Sequence, residues 1–246
     1  MKELLQFAWD ALLLKDEAYT QHVARADVLK RGLILLVLAT LVGGSLPLIV
    51  DVIGDLRPIS AQRQEAEQSI REFTTSMGPL WGALGVPPDF EREMLAGMRA
   101  GLEIGFDIAE LPTPLPKVVG RILEDLGAFL SLPFNRLAGW LGYSIWVLLV
   151  AKLLDGKATL RQMLGTTALY AVPHVLGILS FVPCLGQLLG LVAMVWGIAI
   201  YVKAVAVAND FSLGRAIAAT VVPALVGLGL ALLGLLTFFI LALATG

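Results

Sequence analysis

Long apolar stretches constrain this 246-residue chain more than any other feature. A helix that crosses a membrane needs roughly 20 mainly apolar residues. Five stretches of this kind run over about 32–53, 137–154, 163–182, 188–207 and 216–243. Charged residues make up 15% of the chain, against about 25% in a typical water-soluble domain. We therefore predict an all-α polytopic membrane bundle with five transmembrane helices and additional interfacial amphipathic helices.

The basic residues predict the orientation of this bundle, because short cytoplasmic loops carry an excess of Lys and Arg. Three basic segments fall on one side of a five-span arrangement: the N-terminal segment, the turn with Lys157 and Arg161, and the turn with Arg215. The turn at Pro183 between the third and fourth spans carries neither Lys nor Arg. We therefore expect the N-terminus inside the cell and the C-terminus outside.

Polar and amphipathic segments divide the chain into four parts. We expect a cytoplasmic N-terminal amphipathic segment (1–31), the first transmembrane helix (32–53), an extracytoplasmic helical insertion with an interfacial helix (54–136), and a four-helix transmembrane core (137–246). The interfacial helix covers 117–132 and leads into the second span after Pro133.

The insertion contains one further pattern. Polar residues from Gln62 to Met77 and an amphipathic stretch from Pro88 to Glu110 predict two helices. In the second of these, Gly97, Gly101 and Gly105 recur every four residues beside an apolar stripe. Such spacing allows two helix backbones to approach closely. We predict that this glycine face packs against a helix of the same chain or of a second copy.

Few side chains in the spans are suited to chemistry, and an ionisable group inside a membrane is a functional candidate by default. His174 follows Pro173 in the third span, one turn after Tyr170, and Lys203 lies in the fourth span. A neutral imidazole bonded to a neighbouring helix, or to Tyr170 in its own helix, is the alternative to a functional His174. Lys203 can extend its ammonium toward the cytoplasm. The candidate functional residues are His174, Tyr170, Pro173, Lys203, Lys157 and Arg161.

The sequence gives little support for catalysis or a cofactor. Ser144 in Gly142-Tyr143-Ser144 and His174 together match a hydrolase poorly, because the second glycine of the nucleophile motif is missing. The single cysteine, Cys184, excludes an internal disulfide and a multi-cysteine metal site. A net charge of −2 offers no basic surface for nucleic acid. We predict no enzyme activity, no cofactor, no metal site and no nucleic-acid partner.

The C-terminal half carries a family resemblance. The segment from Leu153 to Gln162 (LLDGKATLRQ) leads into a span with Tyr170-Ala171-Val172-Pro173, a span with Trp196 follows, and the segment from Phe211 to Ala216 (FSLGRA) opens a last span that contains Pro223. This pattern resembles the Yip domain family of Ypt/Rab-interacting membrane proteins, in its prokaryotic branch. The resemblance, clearest over 137–243, implies five spans, an inside N-terminus and a prokaryotic cytoplasmic membrane. Eukaryotic members of the family are associated with Rab-type GTPases.

Two classes of function remain. The first is a non-catalytic membrane scaffold or adaptor that organises partners or bilayer shape. Its partners would be the lipid bilayer, other membrane or cytoplasmic proteins, and a second copy in a homo-oligomer. The alternative is a channel or transporter for ions or small solutes, which a polar path through the bundle would favour. The scarcity of charge inside the spans favours the scaffold.

Overall fold

Every regular element in the described part of the chain is helical. The computed structural model describes residues 2–112, 116–182 and 184–245. The elements in chain order are α1 (Lys2–Leu12), α2 (Asp16–Val23), α3 (Val28–Asp55), α4 (Ile59–Leu84), α5 (Pro88–Glu110), α6 (Lys117–Leu153), α7 (Leu160–Thr167), a 3₁₀ helix (Ala168–Leu179), α8 (Leu185–Asn209) and α9 (Leu213–Thr245). The chain separates into two compact units, a bundle unit (Met1–Pro47 with Phe129–Gly246) and an insertion unit (Leu48–Ala128).

Five helical segments are long and apolar enough to cross a membrane. They are Val28–Asp55, Val118–Leu153, Leu160–Leu179, Leu185–Asn209 and Leu213–Thr237. Much of their apolar surface is exposed, including Leu188, Leu191 and Val195 of α8, each more than half exposed. Such surface is stable against lipid but costly in water. The prediction of a five-span all-α membrane protein is confirmed, and the lipid bilayer is its surrounding medium.

The second span begins differently from the prediction. α6 runs without interruption from Lys117 to Leu153 and passes through Pro133. The expected interfacial segment and the span are therefore one helix. Proline removes one backbone hydrogen bond, a loss that membrane helices tolerate when neighbouring groups compensate. At a rise of 1.5 Å per residue, α6 is roughly 55 Å long, well above the ~30 Å of the hydrocarbon core.

The third span changes helix type midway. α7 ends at Thr167, and the next 12 residues form a 3₁₀ helix that contains Pro173. Runs of 3₁₀ helix longer than about four residues are uncommon, because side chains eclipse and the hydrogen bonds are poorer. The 3₁₀ form rises about 2.0 Å per residue. The 20 residues of this span therefore reach about 36 Å, against about 30 Å for an α-helix of equal length.

Backbone contacts at glycines hold the third span between α3 and α8. A Cβ on Gly32 of α3 would overlap the carbonyl oxygen of Gly165. A Cβ on Gly43 would lie 2.5 Å from the His174 carbonyl oxygen, and a Cβ on Gly197 of α8 would lie 3.0 Å from the Tyr170 carbonyl oxygen. Helices pack this closely in membranes where small residues line both surfaces.

The N-terminal pair, α1 and α2, belongs to the bundle unit. The Tyr19 hydroxyl donates to the Ala11 carbonyl at 2.8 Å, and the Trp196 indole N–H donates to the Leu12 carbonyl at 2.8 Å. Ala11 and Tyr19 are fully buried and pack with Leu35, Leu169 and Ile200. The predicted amphipathic helix is therefore present as α1, and α2 is an additional helix that the sequence analysis did not predict.

The insertion unit contains α4 and α5, and the bounds of these helices are close to those of the two predicted helices. Gly85 caps α4 in the left-handed conformation (φ 68°), which glycine adopts without steric cost. The Arg63 guanidinium lies over the Phe106 ring at 5.2 Å. At the base of the unit, Arg121 pairs with Asp55 at 3.6 Å. Among the described residues of this unit, Ile70 alone is a buried hydrophobic side chain.

The glycine face of α5 corrects one prediction. A Cβ built on Gly97, Gly101 or Gly105 would meet no atom of the described residues within 4 Å. Packing of this face against a helix of the same chain is therefore wrong. The apolar side chains that approach α4 lie elsewhere on α5, where Leu102 and Phe106 share a cavity with Ile70. Packing against a second copy stays a prediction.

Candidate functional site

Asn209 holds together the two turns that carry the basic residues. Its side-chain carbonyl accepts the Ala158 backbone N–H at 3.2 Å, and its amide donates to the Val205 carbonyl at 3.0 Å. The side chain is buried, with 1% of its surface exposed. The same carbonyl oxygen would lie 2.5 Å from a Cβ on Gly156, so a larger residue does not fit there. One buried amide therefore fixes the turn after α6 against the end of α8.

The outer surface of these turns is charged. The Lys157 ammonium donates to the Asp210 carboxylate at 2.7 Å, and both side chains are about three-quarters exposed. This hydrogen bond holds the pKa of Asp210 below its ordinary value. A capping box between Thr159 and Gln162 begins α7 and fixes the backbone on either side of the exposed Arg161. Lys157 and Arg161 therefore both lie on the exposed surface at the junction of α6 and α7.

Lys203 has a partner that the sequence analysis missed. Its ammonium forms an ion pair with Asp16 of α2. The two residues are far apart in the sequence, and no local spacing connects them. The side chain of Asp16 is itself largely exposed, so the ion pair is compatible with the prediction that Lys203 extends its ammonium toward the cytoplasm, which stays a prediction.

His22 is a second residue that the sequence analysis passed over. It is 1% exposed. One ring nitrogen, Nε2, lies 3.2 Å from the Gly165 carbonyl oxygen, and the ring stacks on Phe7 at 4.5 Å. Burial lowers the pKa of His22 to about 4, with smaller contributions from Arg31 and Arg25 that the hydrogen bond to Gly165 opposes. The ring is therefore neutral at pH 7 and fastens α2 to both α1 and α7.

A groove opens inside the spans, between α6, the 3₁₀ helix, α8 and α9. Its volume is about 430 Å³, and its lining is mainly apolar and aromatic. Residues that line it include Trp140, Tyr143, Tyr170, His174, Tyr201 and Thr220. The structure therefore places the predicted residues Tyr170 and His174 side by side on one wall, while Pro173 between them is buried.

A buried network of hydroxyl groups crosses the bundle beside this groove. The Trp140 indole donates to the Thr167 hydroxyl at 3.1 Å. The Ser144 hydroxyl lies 3.2 Å from that of Thr167 and 2.9 Å from that of Tyr201. Interhelical hydrogen bonds of this kind stabilise membrane bundles. Since the partners of Ser144 are hydroxyl groups and not His174, no Ser–His dyad forms.

His174 bonds within its own helix, to the backbone. Its Nδ1 lies 3.2 Å from the Tyr170 carbonyl oxygen, and its ring meets the Tyr170 ring edge-on at 5.7 Å. Arg136 of α6 lies near enough to Tyr170 and His174 for its charge to act on both side chains. The sequence analysis did not single out Arg136, because it stands next to the predicted start of the second span.

A comparison with known protein families identifies the family of this chain. It matches the Yip1 domain over residues 9–236, from α1 into α9. The protein belongs to the Yip1 domain family. No curated protein and no solved structure matches the chain.

The Yip1 domain match begins far before residue 137, where the clearest part of the resemblance (137–243) starts, and it ends at residue 236. It includes most of the N-terminal pair and the whole insertion unit. Within this Yip1 domain the candidate residues fall into two places. His174 and Tyr170 line the groove with Pro173 buried between them, whereas Lys157, Arg161 and Lys203 lie in the turns or against α2. Among the described residues, no three His, Cys, Asp or Glu side chains are placed to share a metal ion.

Proposed function

We propose that this Yip1-domain protein is a non-catalytic membrane scaffold. Its working surface is the basic side of the bundle, formed by α2, the turn at Gly156–Gln162 and the turn at Asn209–Arg215. The buried Asn209 amide, which ties the two turns together, is the observation that carries the proposal. A surface ordered before binding loses less conformational entropy when a partner binds.

The charge of this surface supports contact with anionic headgroups or acidic protein segments. Lys157, Arg161 and Arg215 are exposed on the two turns. Each basic residue near an anionic membrane contributes about 1 kcal/mol of attraction. The same residues favour a cytoplasmic location, with the N-terminus inside and the C-terminus outside a prokaryotic cytoplasmic membrane.

A copurification experiment tests the scaffold. Deleting the segment from Lys2 to Leu14 would also remove the buried Ala11, so substitutions at exposed positions are preferable. We expect the triple variant Lys157→Gln, Arg161→Gln, Arg215→Gln to lose proteins that copurify with the wild type from gentle detergent. The matched control replaces Arg71, Arg92 and Arg99 of the insertion unit by Gln and should keep them. Equal partner sets for both triple variants would contradict the proposal.

A labelling experiment tests the orientation. In a Cys184→Ala background, a cysteine at the exposed Ser212 should resist an impermeant thiol reagent applied to intact cells. Ala158, in the other turn, is fully buried and unsuitable for labelling. Labelling at Ser212 from outside would overturn the cytoplasmic placement. The same assay on the triple variant shows whether the loss of basic residues has altered its topology.

The channel alternative makes a different prediction. A solute path needs polar groups that face an open passage, whereas Ser144, Thr167 and Tyr201 bond to one another and are at most 5% exposed. We expect the purified protein in liposomes to give no solute flux above protein-free vesicles. Robust solute flux that changes with Tyr170→Phe or His174→Gln would contradict the scaffold proposal.

A further inference from the structure

We propose that the groove between α6, the 3₁₀ helix, α8 and α9 binds one acyl chain of an anionic phospholipid, and that Arg136 holds its phosphate. This lipid site is independent of the scaffold surface on the turns.

The groove suits a hydrocarbon chain. Its volume of about 430 Å³ lies within the ~300–1,000 Å³ of small-molecule sites. Met194, Ile198 and Val221 on its rim are each about half exposed, so the groove opens sideways toward lipid. Gly139 forms part of the wall, and a Cβ there would meet no described atom within 4 Å. A chain can therefore enter from the bilayer without displacing protein.

Arg136 supplies a charge that calls for a counter-ion. It lies within the apolar helix Val118–Leu153, 17 residues before its end, or roughly 25 Å along the axis. His174 lies at a comparable level, about 26 Å along the third span from Leu160. Among the described residues, no carboxylate lies within the 4.0 Å of an ion pair with Arg136. At roughly 25 Å from the end of its span, Arg136 lies near the edge of the ~30 Å hydrocarbon core, where a cation without a carboxylate partner attracts a lipid phosphate.

The groove itself provides no such anion. Its described lining residues include no Asp or Glu. A lipid phosphate supplies the missing charge, and the planar guanidinium of Arg donates to two phosphate oxygens at once. The phosphate therefore belongs beside Arg136, with the acyl chain extending into the groove from that end.

Tyr170 and His174 complete the headgroup site. Tyr170 lines the groove, and Arg136 lies one helical turn before the groove residues Gly139 and Trp140, so the Tyr170 hydroxyl can donate to the same phosphate. Because His174 Nδ1 faces the Tyr170 carbonyl at 3.2 Å, the proton of the neutral ring resides on Nδ1 and leaves Nε2 as an acceptor. A glycerol hydroxyl matches that acceptor, so phosphatidylglycerol is the probe that fits all three side chains.

Native mass spectrometry of the delipidated full-length protein tests the phosphate contact. The probes are dioleoyl-phosphatidylglycerol and dioleoylglycerol, which share acyl chains and differ in the phosphoglycerol headgroup, with dioleoyl-phosphatidic acid as the probe that adds the phosphate alone. We expect the wild type to bind the phospholipid about tenfold more tightly, and Arg136→Gln to remove that difference. Arg136→Lys should retain part of it, and Arg92→Gln, which changes an exposed arginine of the insertion unit that does not line the groove, should retain all of it.

A pair of glycine variants tests the acyl-chain contact. Gly139 lines the groove, whereas Gly142 on the same helix does not, and both have open space around a Cβ. Gly139→Leu should fill the groove and lower the binding of both lipids about tenfold or more, while Gly142→Leu should leave binding unchanged. Wild-type binding by Gly139→Leu, or an unchanged preference for phosphate in a folded Arg136→Gln protein, would overturn the proposal. If Arg136→Gln fails to fold, the glycine pair decides alone.

Discussion

The bundle unit and the insertion unit both carry glycines on their helices, with opposite results. In the bundle, a Cβ on Gly165 would lie 2.6 Å from the backbone carbon of Val28. In the insertion, a Cβ on Gly101 would meet no described atom within 4 Å. Glycine spacing permits close approach of helices, but an apposed helix decides whether approach occurs. The bundle supplies that helix because the third span lies between α3 and α8.

Buried hydrophobic side chains are also distributed unequally between the bundle unit and the insertion unit. Nearly all of the buried hydrophobic side chains belong to the bundle, and many of them are alanines, such as Ala168, Ala204 and Ala216. Small buried residues let backbones touch, so packing in the bundle tolerates little change in volume. In the insertion, many of the contacts between side chains are exposed ion pairs such as Asp89–Arg92. Such pairs contribute little to stability.

Enlarging one glycine in each unit is the strongest test of this difference in packing. Gly32→Leu would push a side chain into the Gly165 carbonyl, so we expect a loss of about 3 kcal/mol or more in unfolding free energy. Gly101→Leu faces open space and should change stability by less than about 0.5 kcal/mol. Thermal unfolding in detergent measures both.

One outcome would contradict that expectation, and another would support packing of the α5 glycine face against a second copy. Equal melting temperatures for both variants would remove the packing role of Gly32. A fall in oligomer size for Gly101→Leu, without a change in monomer stability, would support the second copy that the sequence predicts for this face.

The next prediction concerns pH and the N-terminal pair. The pKa of His22 is about 4 in the folded protein, below the ordinary value of about 6.5. The unfolded state therefore binds the proton first. The stability from neutral His22 is complete above pH 6.5, falls as the pH drops from 6.5 toward 4, and amounts to about 3 kcal/mol at most.

Hydrogen exchange of α1 and α2 between pH 7 and 4, corrected for the intrinsic rate at each pH, checks this effect. Protection should fall in the wild type and change less in His22→Gln, while α4 and α5 serve as the internal reference. Equal pH dependence in wild type and variant would show that another group controls the docking.

We expect a smaller difference in unfolding free energy between the loss of a buried polar contact and the loss of an exposed one. Asn209→Ala leaves the buried Ala158 N–H without its acceptor, and we expect a cost of about 2 kcal/mol. Asp89→Ala removes an exposed ion pair of the insertion and should cost less than about 0.5 kcal/mol. Chemical unfolding of both variants measures the difference, and equal costs would argue against Asn209 as the link between the turns.

The smallest expected effect concerns His174. Because His174 hydrogen-bonds to the Tyr170 carbonyl within its own helix, His174→Gln should keep the fold and the partners, at a cost of about 1 kcal/mol. Melting temperature and copurification measure the two properties. Complete loss of the copurifying partners in a normally folded variant would show that His174 has a role beyond the lipid site.

Five spans were predictable because apolar length and composition alone determine which segments can cross a membrane. The helix in 88–110 was also predictable from its periodicity and from Pro88 at the first position. By contrast, Pro133 and Pro173 have opposite outcomes: α6 continues through the first, while the second lies in a 3₁₀ helix. Local sequence does not contain the neighbouring helices that determine which response occurs.

The candidate site was predictable in part for the same reason. His174 and Tyr170 stand out as polar groups in an apolar span, and the structure places both at the groove. Arg136, His22 and Asn209 stand near span ends, where polar residues are ordinary. Their significance comes from contacts with residues distant in the sequence, such as Asn209 with Ala158 and His22 with Gly165. A single sequence gives no local signal for such pairs.

The central claim is that the N-terminal pair is docked on the bundle and forms one surface with the turns. Cross-linking of Asp16→Cys with Lys203→Cys, in a Cys184→Ala background and with a short bifunctional thiol reagent, tests it most directly, because these two side chains form an ion pair. Asp89→Cys with Arg92→Cys, neighbours on α5, is the positive control, and single-cysteine variants are the negative controls. We predict an efficient intramolecular cross-link between positions 16 and 203 in native membranes. No cross-link under conditions that join positions 89 and 92 would contradict the account.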